Sequence, residues 1–360
     1  MRAALYYIFK KNLPVLFVVV ILIAGFKWIT AFNTPSIRPG DATLDTWIAQ
    51  CKDMSAEQLE QFVESLNTRA YTDKKIDSAE VSAYSNFISS YRNRINIQKL
   101  IDFAAKKEGA LPTDLPDNYM QLLDFYKELP TPEIMNEQPL DVYFDLKSYS
   151  LVLLAVTLLA AVFFGQQYET DMYTYTATTR YGRRYTGTIY LALCLIGTVL
   201  LLANETFDLI YSGIFAGSSA LAAPLQSYSP FSGAQIAVSI GQGLLIIFFS
   251  KLLGLLFMCY LVKRIAHHQK NIKDTLVYST CFILAVFFLG KALANTKYFC
   301  LVQFGYVDWK EILARTTRFV SIGISSLEIG LILLALLGIG LPVAGWLYRL
   351  LARQRIGRRR

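Results

Sequence analysis

The chain reads as an all-α polytopic membrane protein, with six transmembrane helices and a helical extracytoplasmic insert between the first and second. Three observations predict this. The 360 residues are 54% hydrophobic and only 17% charged, whereas soluble domains carry roughly 25% charged residues. The apolar residues arrive in blocks about 20 long, the length a helix needs to cross about 30 Å of hydrocarbon. The charge is also segregated. Residues 33–146 hold 19 acids against 11 bases, leaving 8 acids and 24 bases of the chain's 27 and 35 for the remainder. A basic excess beside apolar spans marks the cytoplasmic side, and an acidic insert is free to lie outside. The net charge of +8 therefore reports topology, and it implies no nucleic-acid partner. A soluble enzyme is excluded by the same composition.

The elements follow in order. The first apolar block, Leu13 to Phe32, is preceded by Arg2, Lys10 and Lys11. It is long for a signal-peptide core and no small-x-small cleavage site follows it, so it reads as an uncleaved span with its amino terminus inside. Residues 33–146 form the one large polar segment. Helix starts are marked by Ser55-Ala-Glu-Gln58 and by Asp77 with Glu80, each a capping-box pattern. Phe62 and Leu66, and then Phe87, Tyr91 and Ile95, continue at helical spacing. A third helix, Asp117 to Leu129, lies between Pro112, Pro116, Pro130 and Pro132. The second span is Tyr149 to Gly165 and the third Tyr185 to Ala203. A loop from Asn204 to Ser232 carries Glu205 and Asp208 and no Lys or Arg, and so is assigned outside. The fourth span, Gln235 to Val262, runs into the basic sequence Lys263 to Lys270. The fifth is Leu276 to Ala294 and the sixth Gly323 to Tyr348, with a basic tail over 350–360. Residues 147–349 thus make a five-helix domain, and both termini are expected inside.

Candidates for chemistry are few. The five cysteines show no metal spacing, and Cys194, Cys259 and Cys281 fall in apolar runs where cysteine packs as a small hydrophobe. Only Cys51 and Cys300 can meet an oxidising exterior. The two histidines, His267 and His268, lie in the basic inner connection without metal-ligating neighbours. No metalloprotease, nucleophile-elbow or phosphate-loop motif is present; Gly290-Lys291 lacks the glycine and hydroxyl residue of the last. No metal site and no cofactor is expected in this chain. Charges within spans are costly and carry a default functional hypothesis. Lys251 is expected past mid-bilayer, facing a polar cavity, a subunit interface or the headgroups. Lys291 and Glu328 fall at similar depths on consecutive spans, so they either pair or snorkel separately.

The connection between spans 2 and 3, residues 166–184, is the most distinctive segment. Glu169 follows the span, then polar and aromatic residues lead to Thr178-Thr-Arg-Tyr-Gly-Arg183. This predicts a short interfacial helix broken at Gly182, with Glu169 near its positive end and Arg183 and Arg184 facing anionic headgroups. In Glu169, Thr178, Thr179, Gly182 and Arg183 it resembles the coupling-helix region of type-2 ABC exporter permeases. It departs from that pattern after the acid, where Asp171 and Met172 stand in place of a small residue. The six-span layout, with an insert after span 1 and an outer segment at 295–322 containing Trp309 and Lys310, is similar to the same family; the insert itself is not explained by it.

The resemblance implies a transmembrane permease without ATP-binding machinery of its own. A separate ATPase subunit would bind ATP and Mg²⁺ and receive the 169–184 helix in a groove. Glu169, Thr178, Thr179, Arg180, Gly182 and Arg183 would be the coupling residues. A second copy or a sister permease would complete the pathway, surrounded by membrane lipids. Two other readings stay open. One is a membrane sensor or scaffold whose acidic insert binds an extracellular ligand or partner. The other is a membrane-embedded enzyme, which would need paired acids, a metal cluster or a Ser/His pair at membrane depth.

Overall fold

The structure of the chain, a computed structural model, describes residues 2–35, 41–72, 77–106, 117–146, 149–170, 182–214, 218–293, 309–314, 316, 318–319, 324–345 and 347. Six helices are long and apolar enough to cross a membrane. Span 1 is α1 (Arg2–Asn33). Span 2 is formed by α6 (Gln138–Asp145) and α7 (Tyr149–Glu169). Span 3 is α8 (Gly182–Tyr211). The short α9 (Ser218–Ala222) and two 3-10 turns, Leu225–Ser227 and Ser229–Phe231, lead to span 4, α10 (Ile240–Gln269). Span 5 is α11 (Ile272–Leu293). The short α12 (Trp309–Ala314) precedes span 6, which begins as α13 (Ser326–Ala335) and continues through a π-turn at Leu336–Gly340. A two-residue ladder pairs Arg318 with Ser325 and Phe319 with Ile324, just before span 6.

Span 2 is the hub. Its most apolar stretch is 71% buried, against 12% for span 1, because Val152, Val156, Leu159, Ala160 and Phe164 point into neighbours on several sides. It packs against spans 1, 3, 4 and 5. At one end of the bundle span 4 turns into span 5 through Lys270, whose positive φ of 59° closes the helix. Asn271 then accepts from the Asp274 N–H and starts the next helix. This end carries Lys263, Arg264, Lys270 and Lys273 and is called the basic end below.

The segment between spans 1 and 2 is helical. It holds α2 (Asp41–Cys51), α3 (Ala56–Thr72), α4 (Ser78–Lys106) and α5 (Asp117–Glu128). The Ser55 box forms as expected: Gln58 N–H donates to Ser55 Oγ, and Gln58 Oε1 accepts from Ser55 N–H. Leu44, Trp47, Leu59, Val63, Ala83 and Phe87 make its core. Phe87 meets Trp47 and Phe62 edge-on at 6.1 and 5.9 Å.

Several boundaries differ from the sequence-based ones. Span 3 does not stop at Ala203 but continues to Tyr211, taking Glu205 and Asp208 out of the loop assigned to them. Span 4 runs on to Gln269, so His267 and His268 sit in the last helical turn and not in a connection. In both cases the helix outlasts its apolar run because the polar residues beyond it find partners. Gly182 opens α8, and the interfacial helix expected before it lies outside the described residues. Helix α2 has no counterpart among the predicted elements.

Candidate functional site: buried ion pairs across three spans

Along α8, Asn204, Glu205 and Asp208 fall on one face by their three- and four-residue spacing. They lie in the last two turns, at the end of the bundle opposite the basic end. All three are buried, as are Lys27 of span 1 and Lys251 of span 4. Lys251 stands about 16 Å along its helix from Ile240. Its ammonium donates to both oxygens of Glu205, at 2.8 and 2.9 Å. Tyr143 of α6 donates to Glu205 Oε2 at 2.8 Å. Asp208 takes the Lys27 ammonium. Asn204 Nδ2 bridges the two acids, at 3.4 Å from Glu205 Oε1 and 3.3 Å from Asp208 Oδ2.

Aromatic faces complete the surroundings. Lys251 lies 5.5 Å from the Tyr143 ring and 5.9 Å from that of Tyr149, and Lys27 lies 5.4 Å from Phe207, distances at which a ring's electron-rich face attracts a cation. Tyr149 also donates to the Lys251 carbonyl at 3.0 Å, and Tyr211 to that of Ala31. Two ammonium groups thus face two carboxylates in a region where an unpaired charge is expensive. The arrangement holds spans 1, 3 and 4 to the helix that begins span 2. Among the described residues no group of three His, Cys, Asp or Glu side chains could hold a metal ion.

A second polar cluster joins the insert to the segment before span 4. Asn93 of α4 donates to the carbonyls of Gln226 and Ser227 at 2.8 and 3.3 Å. Tyr228 and Lys310 both donate to Asp141 Oδ1, at 2.6 and 2.9 Å. Glu137 accepts from the Ser229 N–H and hydroxyl. Burial, with Asp141 adding to it against Ser229 and Lys310, pushes the Glu137 carboxyl up to about 7.

The residues singled out from sequence are placed as follows. Lys251 is buried, at 7% exposure, and paired with Glu205. Lys291 and Glu328 do not pair. Lys291 is exposed, 4.9 Å from the Phe287 ring on its own helix. Glu328 closes a capping box with Ser325 at the start of span 6. Local partners satisfy each, so nothing draws them together.

At the basic end, Glu169 Oε1 accepts from the Ile272 N–H at 2.8 Å, which caps span 5. Next to it the Tyr168 hydroxyl lies 3.0 Å from His267 Nδ1 of span 4. Gly165 makes this junction possible: a Cβ there would lie 2.8 Å from the Ile272 Cα. Gly182 and Arg183 form the first residues of α8, the Arg183 side chain falling outside the described part. Thr178, Thr179 and Arg180 lie outside the described residues.

Sequence reasoning missed Glu205, Asp208 and Lys27 as partners. The available signal was helical spacing of three polar residues directly after an apolar run, matched by one lysine each on spans 1 and 4. Fold and site together define a multi-pass membrane protein whose spans are tied by buried ion pairs. No family model, curated protein or solved structure matches the chain.

Proposed function

We propose that the chain is the transmembrane permease subunit of an ABC exporter, moving its substrate when a separate ATPase subunit binds ATP with Mg²⁺ and hydrolyses it. The observation that carries this reading is the anchorage of the connection between spans 2 and 3. One end is tied through Glu169 to the first turn of span 5 and through Tyr168 to the end of span 4. The other end runs directly into span 3 at Gly182. A force on residues 170–181 is therefore delivered to spans 2, 3, 4 and 5 together, which is what a coupling segment has to do. The sequence resemblance of the same segment supports the reading independently.

The basic end belongs in the cytoplasm by the positive-inside rule. The insert then lies outside, both termini lie inside, and the ion pairs occupy the outer half of the bundle. A second copy or a sister permease completes the pathway between two such chains. A second reading, an insert that senses an extracellular ligand, is favoured by one observation: α4 is hydrogen-bonded through Asn93 to the segment leading into span 4. A ligand on the insert would act there.

The test is isolation of the protein in mild detergent from its own host, with mass spectrometry and an ATPase assay of what accompanies it. Wild type is compared with Glu169→Ala/Arg183→Ala. Recovery of an ATPase subunit with wild type and its loss with the double variant is the expected result. Wild type recovered without any nucleotide-binding partner refutes the permease reading and transfers the weight to the insert.

A further inference from the structure

Two free thiols lie between spans 3 and 4. Spans 3 and 4 run antiparallel, and contacts on either side set their register. The Lys263 ammonium stands 4.9 Å from the centroid of the Tyr190 ring. A Cβ added at Gly197 would lie 2.7 Å from Leu255 Cδ2. One turn outward from Tyr190 is Cys194, and one turn outward from Lys263 is Cys259, so the register brings the two cysteines opposite each other. Both are free and buried, at 9% and 0% exposure, and their sulfur atoms interact with one another. The Tyr190 hydroxyl reaches the Cys194 sulfur as well. A dithiol with a phenol and an ammonium within one turn is more than a packing solution, for which alanine or valine would serve.

We propose that Cys194 and Cys259 form a redox site, oxidised by an apolar hydroperoxide of the fatty-acyl type to a disulfide that cross-links spans 3 and 4. The Cys194 sulfur attacks the outer peroxide oxygen. An S–O bond forms, the O–O bond breaks, and the leaving alkoxide takes the thiol proton to become an alcohol. The Cys259 sulfur then attacks the sulfenic sulfur. The S–S bond forms, the S–O bond breaks, and hydroxide leaves with the second thiol proton as water. Two thiols are oxidised by two electrons, and one hydroperoxide is reduced to alcohol and water. Lys263 supplies positive charge beside the reacting sulfur, and Tyr190 supplies a hydrogen-bonding hydroxyl. The pair lies among the apolar side chains of two spans, so the oxidant must dissolve in hydrocarbon. This selects an acyl hydroperoxide over a water-borne one. Closure adds a covalent tie about 12 Å along span 4 from the Lys251–Glu205 pair. With two ties at different depths, spans 3 and 4 can neither slide nor rotate against each other.

Cumene hydroperoxide is the probe, applied to the full-length protein in liposomes before alkylation and peptide mass spectrometry. Cys194 and Cys259 are expected to lose alkylation together, with a linked peptide that disappears on reduction. Cys281, exposed on span 5, is expected outside that link and serves as the reactivity control. Cys194→Ser and Cys259→Ser should each abolish the linked peptide. The proposal is overturned if both thiols stay alkylatable while Cys281 is oxidised, or if each is oxidised separately without a link. Linking by hydrogen peroxide at an equal rate overturns the assignment to an apolar oxidant. The readout is on wild type, so a misfolded variant cannot mask the outcome.

Discussion

Replacing Lys251 by methionine leaves the Glu205 carboxylate buried with the Tyr143 and Asn204 hydrogen bonds and the more distant charge of Lys27 to hold it. At 2.8 Å and an effective dielectric of about 20, the ammonium–carboxylate attraction is about 6 kcal/mol. Most of that offsets the cost of removing both charges from water. Deleting the lysine removes the attraction but leaves the carboxylate's share of the cost. Tyr143 still donates a hydrogen bond to the charged group, worth about 1.5–3 kcal/mol. The expected loss is therefore at the low end of the range for breaking a buried pair, about 3 kcal/mol. Adding Glu205→Gln in the same chain removes the stranded charge, and the double variant should lie within about 1 kcal/mol of wild type. The assay is reversible unfolding in lipid bicelles of wild type, both single variants and the double variant. A coupling energy of about 2 kcal/mol or more is expected. If the double variant's loss equals the sum of the single losses to within about 0.5 kcal/mol, the pair is not a desolvated unit and the reasoning fails.

Three further outcomes follow. Lys27→Met should weaken the hold on span 1 by a similar about 3 kcal/mol, and Asp208→Asn in the same chain should restore it; protease or cross-linker access to span 1 reads the change. Glu137 binds a proton more tightly in the folded chain than in the unfolded one. Its contribution is therefore full below pH 4.5 and is lost as pH rises through about 7. Wild type should lose up to about 3 kcal/mol across that window while Glu137→Gln stays level, as unfolding of the two proteins at matched pH will show. The groups facing Glu137 are Ser229, Asp141, Lys310 and Tyr228, so Lys310→Met should raise its titration point further. Gly165→Val should destabilise by about 1–3 kcal/mol, because the obstacle 2.8 Å from the added carbon is the Ile272 backbone; a variant as stable as wild type would contradict the close approach of spans 2 and 5.

The existence of the spans was legible because apolarity over some 20 residues is a property of each segment alone. Their ends were not. Asn204, Glu205 and Asp208 look like loop residues until Lys27 and Lys251 supply partners from 181 and 46 residues away. The same holds for the Lys263–Gln269 turn of span 4. Depth arithmetic for Lys251, Lys291 and Glu328 speaks of position along a helix and not around it. Azimuth is what separates a buried pair from an exposed lysine resting on its own helix's phenylalanine. In the insert, the capping box at Ser55 was readable because both of its bonds span three residues. The stripe of Leu44, Trp47 and Cys51 on α2 was equally present in the sequence, but no capping box announces that helix.

The separation of Lys27 from Asp208 also sets an order of assembly. The two partners are 181 residues apart, so at about 5–20 residues per second the ribosome delivers the aspartate about 10 to 40 s after the lysine. Span 1 thus enters the membrane with a lysine that has no carboxylate yet to meet. Its ammonium lies about two turns from the helix end at Asn33, close enough to reach the headgroups on its long stem while it waits. When span 3 arrives the ammonium must leave the interface to form the buried pair. Span 1 is made before its carboxylate partner and stays unlocked until span 3 arrives, so quality-control proteases can still remove it from a chain whose third span fails to insert.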